Sequence, residues 1–133
     1  MPQTKNEGRT IMTPSNYIKV RNGLVEANLD VYMYMNDDCI IAYAPALDLM
    51  GYGKTVDEAK SSFEIVLQDF FEFSFKNNTF EKYLLKHGWT RKSSPQSFVP
   101  PQLGDMIGTN KKLKDIFARN YSKESLPVSM AVC

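Results

Sequence analysis

Between residues 25 and 35 the chain alternates without a slip. Val25, Ala27, Leu29, Val31, Met33 and Met35 are apolar, and Glu26, Asn28, Asp30, Tyr32 and Tyr34 between them carry polar groups. A period of two over that length gives an extended chain one apolar and one polar face. It predicts a long half-buried strand, which needs partners on its edges and an apolar layer against its buried face. The flanking sequence supplies the partners. Residues 17–20 read as a short strand joined through Asn22-Gly23, the dipeptide that suits a tight hairpin. Asn36-Asp37-Asp38 reads as a second turn, leading into residues 39–44, which are apolar on both faces and therefore central in the sheet. Pro45 ends that strand because proline cannot donate to a ladder. A short strand over residues 49–53 follows, and its Gly51 and Gly53 suggest close backbone approach or a bend.

The apolar layer comes next in the chain. Thr55 and Glu58 have the spacing of a capping box, and Asp57 and Glu58 complement the positive end of a helix dipole. The helix this predicts runs over residues 55–76. Val56, Ala59, Phe63, Val66, Leu67, Phe70 and Phe73 make the stripe expected to cover the sheet. Ile65 lies roughly opposite that stripe and Phe75 well outside it. Both are candidate partner or oligomer interface residues, to be covered either by the C-terminal tail or by another chain. Thr79 is placed to cap a second helix ending at His87, with Gly88 at the left-handed position after it and Trp89 folding back on Leu84. The fold class expected is therefore α+β: an antiparallel sheet of three or four strands packed on one long amphipathic helix.

Charge divides the chain. Residues 1–90 carry a net −3 and residues 91–133 a net +4, for +1 overall, so no global charge argues for nucleic acid or an anionic membrane. The organisation expected is a disordered arm over 1–14, an α+β domain over 15–90, a Pro/Ser-rich connector over 91–102 and a basic extension over 103–133. In the extension Asn110 is placed to cap a helix with Leu113, Ile116, Phe117 and Tyr121 on its apolar side. Lys111, Lys112, Lys114 and Arg119 on the other side are the candidate nucleic-acid contacts. Leu126, Val128, Met130 and Val132 alternate with polar or small residues, and Pro127 restricts them to an edge strand. Leu126, Val128 and Met130 are accordingly further candidates for a partner or oligomer interface, on the body or on a second chain. A homo-oligomer is expected.

Catalytic signals are sparse. His87 is the one histidine, and a helix-end position explains it without chemistry. Cys39 in an apolar strand lacks the electropositive setting of a reactive thiolate, and Cys133 is the last residue. The pair fits a reducing cytoplasm, as does a polar N-terminus without the pattern of a signal peptide; no apolar run approaches membrane-spanning length. Gly51-Tyr52-Gly53-Lys54-Thr55 ends like a phosphate loop, but Asp48 stands where such a loop needs glycine. Asp30, Asp37, Asp38 and Asp48 are the candidate Mg²⁺ ligands of an alternative reading, a Mg²⁺-dependent nuclease. Asp37 and Asp38 are equally good turn formers. No catalytic residue, metal ligand or cofactor is assigned.

Residues 39–59 carry a further signal. Ala42-Tyr43, Pro45 and Leu47, then Gly51 or Gly53, Thr55, Glu58 and Ala59, follow the order of a strand ending in Ala-Tyr-x-Pro-x-Leu and a glycine turn into a capped helix. With the preceding strand, residues 24–76 resemble the HicB-like antitoxin family. That resemblance implies a partial RNase-H-like βββα core without nuclease activity. It also implies binding to a small mRNA-cleaving toxin of double-stranded-RNA-binding fold, whose site the antitoxin obstructs. Family members usually end in a DNA-binding ribbon-helix-helix or helix-turn-helix. Residues 102–133 show one helix and a strand, and a second helix would have to run through Gly104 and Gly108.

Overall fold

In a computed structural model the described residues, 16–92 and 96–131, form an α+β domain. Its elements are β1 (Tyr17–Arg21), β2 (Leu24–Asn36), β3 (Cys39–Ala44), β4 (Leu49–Gly53), α1 (Val56–Lys76), α2 (Phe80–Lys86), β5 (Thr90–Lys92), β6 (Gln96–Val99), α3 (Leu103–Thr109), α4 (Lys111–Phe117) and β7 (Ser122–Ala131). All seven strands join one sheet, with every pairing antiparallel. The expected arm at 1–14, together with Val132 and Cys133, lies outside the described residues.

The alternating segment is the spine. Residues 24–28 of β2 pair with both β1 and β7, and residues 32 and 33 pair with both β3 and β7. A strand has two edges, and β7 runs unbroken along one of them. Both hairpins therefore fold onto the other edge, with β1 and β3 in tandem. The wings continue from there, β6 and β5 from β1 and β4 from β3. Between the wings, opposite Asp30, no strand fills the edge among the described residues. Asn16 stands in that seam: its Oδ1 accepts from Asp30 N at 2.7 Å and its Nδ2 donates to Asp30 Oδ2 at 2.9 Å.

The sheet is covered on both faces. On one, Val25, Leu29, Val31, Met33, Ala42 and Ala44 pack against Ala59, Phe63, Leu67 and Phe71 of α1, with Phe80, Leu84 and Trp89 from the α2 region. On the other, Tyr32, Ile41 and Tyr43 pack under Leu113 and Ile116 of α4. The even face of β2 is thus not solvated throughout, as its tyrosines suggested; Tyr32 is 4% exposed. A tyrosine counts as polar in a pattern yet buries most of its ring when another layer arrives.

Helix α1 begins where the cap predicts. Thr55 Oγ1 accepts from Glu58 N at 3.1 Å, and Glu58 Oε1 reaches back one residue beyond the cap to Lys54 N at 2.9 Å. Its buried ridge differs from the expected stripe: Phe71 is fully buried, whereas Phe73 is 67% and Val56 42% exposed. With 3.6 residues per turn, Phe71 and Phe73 both lie about 80° from the centre of the Ala59–Phe63–Leu67 ridge, one on each side. The position of α2 decides between them. Phe80 contacts the rings of Phe70, Phe71 and Phe75, so the Phe71 side is the covered one.

Three further expectations are corrected. Thr79 does not cap α2, and its hydroxyl is directed at Ser74 O at 3.5 Å. The connector over 91–102 is no spacer: β6 pairs with β1 and Phe98 is 1% exposed in the core. β5 is the outermost strand of this wing and β6 lies between it and β1, so the short pieces on either side of residues 93–95 close one end of the sheet. Helix α3 does pass through Gly104 and Gly108, and only the single residue Asn110 separates it from α4. Its Met106 and Ile107 reach the second core, so packing outweighs the poor helix propensity of glycine.

Candidate functional site

Side chains hold the turn after β3 from both faces of the sheet. Tyr83 Oη donates to Leu47 O and Trp89 Nε1 donates to Ala46 O, both at 2.6 Å. Trp89 is in place because α2 ends as expected, with Gly88 at φ 88° and Trp89 N returning to Leu84 O at 2.9 Å. From the other face, buried Tyr43 donates to Asp48 Oδ1 at 2.7 Å and accepts from Asn110 Nδ2 at 2.9 Å. Asn110 Oδ1 in turn accepts from Leu113 N and caps α4. Burial drives the Tyr43 phenol far above its usual range, so it stays a neutral donor. The segment from Ala42 to Ala59 is therefore a rigid strand–turn–strand–helix unit.

That rigidity extends into α1. A Cβ on Gly51 would lie 2.3 Å from Phe63 N, and one on Gly53 would lie 2.5 Å from Glu58 Cβ. The two glycines are what allows β4 and α1 to touch, which is the close approach expected of them. Lys60 Nζ meets Glu124 Oε1 at 2.8 Å and ties the helix to β7.

What α1 turns outward is a mixed face. Ile65 is 61% and Phe73 67% exposed, two turns apart on the helix. Asp69 and Glu72 lie exposed beside them, and the whole helix carries Asp57, Glu58, Glu64, Asp69 and Glu72 against Lys60 and Lys76. No described part of the tail covers Ile65; β7 lies along β2 instead. The other interface candidates are placed differently. Phe75 is half-buried and stacks on Phe80 with ring centroids 4.4 Å apart, Leu126 is 7% exposed, and Val128 and Met130 pack half-buried against the α1-side core. These four are spent inside the chain. Phe73 was missed because its helical angle alone does not separate it from the buried ridge.

The acidic candidates do not converge. Asp30 sits 8% exposed at the seam, held by Asn16, by Ser125 Oγ at 3.2 Å and by Lys123 Nζ at 3.7 Å. Asp37 and Asp38 make the exposed β2–β3 turn, and Asp48 belongs to the Tyr43 network. Among the described residues no three His, Cys, Asp or Glu side chains group as potential metal ligands. His87 stacks on Tyr83, and its Nδ1 lies 2.9 Å from Tyr83 O. Cys39 is half-buried at the start of β3.

Comparison with protein-family models, curated proteins and solved structures finds no match.

The basic candidates separate as well. Lys112 lies over the Tyr43 ring, 5.0 Å from its centroid, and 3.9 Å from Asp48. Arg119 donates to Met35 O at 3.2 Å and lies over the Tyr34 ring. Lys111 and Lys114 are exposed on α4. Among the described residues no helix is long and apolar enough to cross a membrane.

Proposed function

We propose that this chain is a non-catalytic protein-binding module that acts as the antitoxin of a toxin–antitoxin pair, covering a small basic mRNA-cleaving protein and obstructing its site. The observation that carries this is the outer face of α1, where Ile65 and Phe73 stand exposed among acidic side chains. Large apolar side chains paired on one exposed face suit burial against another surface. Sinking each into a recess contributes about 2 kcal/mol. The acidic surround favours a basic partner and disfavours acidic ones, which also speeds encounter. The rigid unit beneath the helix supports the same reading, since a face held in place loses little entropy on docking. The order of residues 42–59 resembles the HicB-like pattern, and that resemblance supplies the kind of partner.

The experiment is co-expression with the product of the adjacent open reading frame, followed by purification and an RNA-cleavage assay. A stable complex with suppressed cleavage is expected. Ile65→Asp combined with Phe73→Asp should leave the thermal midpoint unchanged, because both positions are exposed, yet abolish the complex, because a carboxylate there must be desolvated. A partner that does not bind, or that binds the double variant equally well, overturns the proposal.

A further inference from the structure

Asp30, Tyr32, Lys123 and Ser125 form one patch on the sheet. Asp30 and Tyr32 are two positions apart on β2 and so share a face, and β7 sets Ser125 opposite Asp30 and Lys123 opposite Tyr32. The helices above this face cover it unevenly. Leu113 and Ile116 of α4 pack on Tyr32 and Tyr43, whereas α3 has no buried residue. Beside the seam this leaves a cavity of about 360 Å³, lined by Asp30, Tyr32 and Lys123 from the sheet and by Val99, Leu103 and Met106 from the end of β6 and from α3. Two hydrogen-bond donors in it are unused. Tyr43, Tyr83 and Trp89 each donate to a partner within the chain, but buried Tyr32 makes no hydrogen bond among the described residues. Burial, with the Asp30 charge adding, raises the Tyr32 phenol above its usual value, so it is a neutral donor. Lys123 Nζ stands 3.7 Å from Asp30 Oδ2, close enough to pair as charges and too far for a hydrogen bond.

We propose that this cavity binds a free α-amino acid with an apolar side chain, an activity beyond the protein-docking role of α1 and independent of it, since α1 lies on the other face of the sheet. A buried hydroxyl without a partner is destabilising unless something in the cavity accepts from it. Water could accept, but it would wet Val99, Leu103 and Met106, which gain from contact with an apolar group instead. Two donors side by side, one of them charged, suit a carboxylate. A carboxylate alone would meet the Asp30 charge at close range, so the ligand has to bring a cation as well. An α-amino acid carries its two charges on one Cα. It can therefore lie antiparallel to the Asp30–Lys123 pair, with its ammonium on Asp30 and its carboxylate on Lys123 and Tyr32. Asn16 Nδ2 at 2.9 Å and Ser125 Oγ at 3.2 Å donate to Asp30 and fix the carboxylate for that contact. The apolar side chain then rests against the wall made by β6 and α3. The volume falls in the range of small-molecule sites, roughly 300–1,000 Å³.

The test is isothermal titration calorimetry of the full chain with L-leucine and with L-methionine. At least one should bind saturably. For whichever binds, glycine, the acid lacking the amine (4-methylpentanoate for leucine) and the amine lacking the carboxylate (3-methylbutylamine) should each bind at least about tenfold more weakly. Tyr32→Phe keeps the ring and removes only the hydroxyl, and Lys123→Met keeps the stem and removes the charge; each should weaken binding by about tenfold or more. The thermal midpoint of ligand-free Tyr32→Phe should be no lower than the parent's, because the hydroxyl has no partner to lose. Ile65→Asp with Phe73→Asp should bind the amino acid like the parent, which separates failure here from failure of the α1 proposal. No saturable binding of either amino acid overturns the inference. So does equal binding by glycine or by either truncated analogue, or equal binding by Tyr32→Phe. A lowered midpoint of ligand-free Tyr32→Phe overturns it too, since the hydroxyl would then serve the fold.

Discussion

Gly51 and Gly104 look alike in the sequence and differ wholly in their surroundings. At Gly51 an added Cβ meets the backbone of Phe63 and Ser62 within 2.7 Å, and backbone cannot step aside. Gly51→Ala should therefore cost about 3 kcal/mol, the upper part of the usual overpacking range. At Gly104 and Gly108 nothing lies within 4 Å of the added carbon, and both sit inside α3. Alanine there should raise stability by about 0.5–1 kcal/mol each, since glycine gives up more backbone freedom than alanine on entering a helix. Urea midpoints of the three variants check both signs. That Gly51 marks a close approach was legible from the Gly-x-Gly spacing in a strand. That α3 tolerates two glycines was not, because their cost is met by Met106 and Ile107 reaching a core that the sequence does not display.

At the scale of elements, β7 presents the longest unpaired sheet edge among the described residues. It pairs with β2 along its whole length, and its other edge has no strand partner among the described residues. Asn22 and Gly23 both have positive φ, 51° and 77°, so the β1–β2 loop is a two-residue turn and Arg21–Leu24 is a hydrogen-bonded pair. Alternation then turns the amides of Leu24, Glu26 and Asn28 toward β1. Asn28 is thus a non-bonded partner of Pro127, and the missing N–H of Pro127 falls on the open edge. Proline at that place interrupts the row of donors that a second strand would use. Pro127→Thr restores the donor at a β-tolerant residue and should increase self-association, seen as higher mass by sedimentation velocity. A mass distribution identical to the parent's would mean that something other than proline guards the edge. The period-two pattern and Pro127 were enough to predict an edge strand; that it docks on β2 is a property of the assembled sheet.

For the whole molecule, alkaline pH is the informative stress. Burial raises the phenol values of Tyr32, Tyr34, Tyr43 and Tyr83, with the charge of Asp30 adding at Tyr32 and that of Asp48 at Tyr83; Arg119 opposes the rise at Tyr34. An unfolded tyrosine releases its proton near pH 10, while the folded chain retains it. The unfolded state then binds fewer protons than the native one, so stability must fall as pH rises. Lys60, raised by Glu124, acts in the same direction, because its contribution is lost as pH climbs through its folded value. The urea midpoint should hold steady to about pH 9 and fall above about pH 10. Tyr43→Phe should start less stable, having left Asp48 and Asn110 without their shared partner, and then decline less steeply. A midpoint that stays level above pH 10 would contradict the buried-phenol account.

Local rules sufficed for what depends on neighbours along the chain. Two hairpin turns, the proline stop after β3, the Thr55 cap and the glycine end of α2 each rest on residues within a few positions of one another. The α+β class followed from their periods. Tertiary structure alone decided which of two equally placed phenylalanines α1 would bury, because α2 arrives on one side only. It also decided that two hairpins share one edge of β2, and that a second layer closes over Tyr32 and Tyr43. Each of those depends on a contact between residues far apart in sequence, and a one-dimensional pattern leaves the competing faces equal in energy until that contact forms.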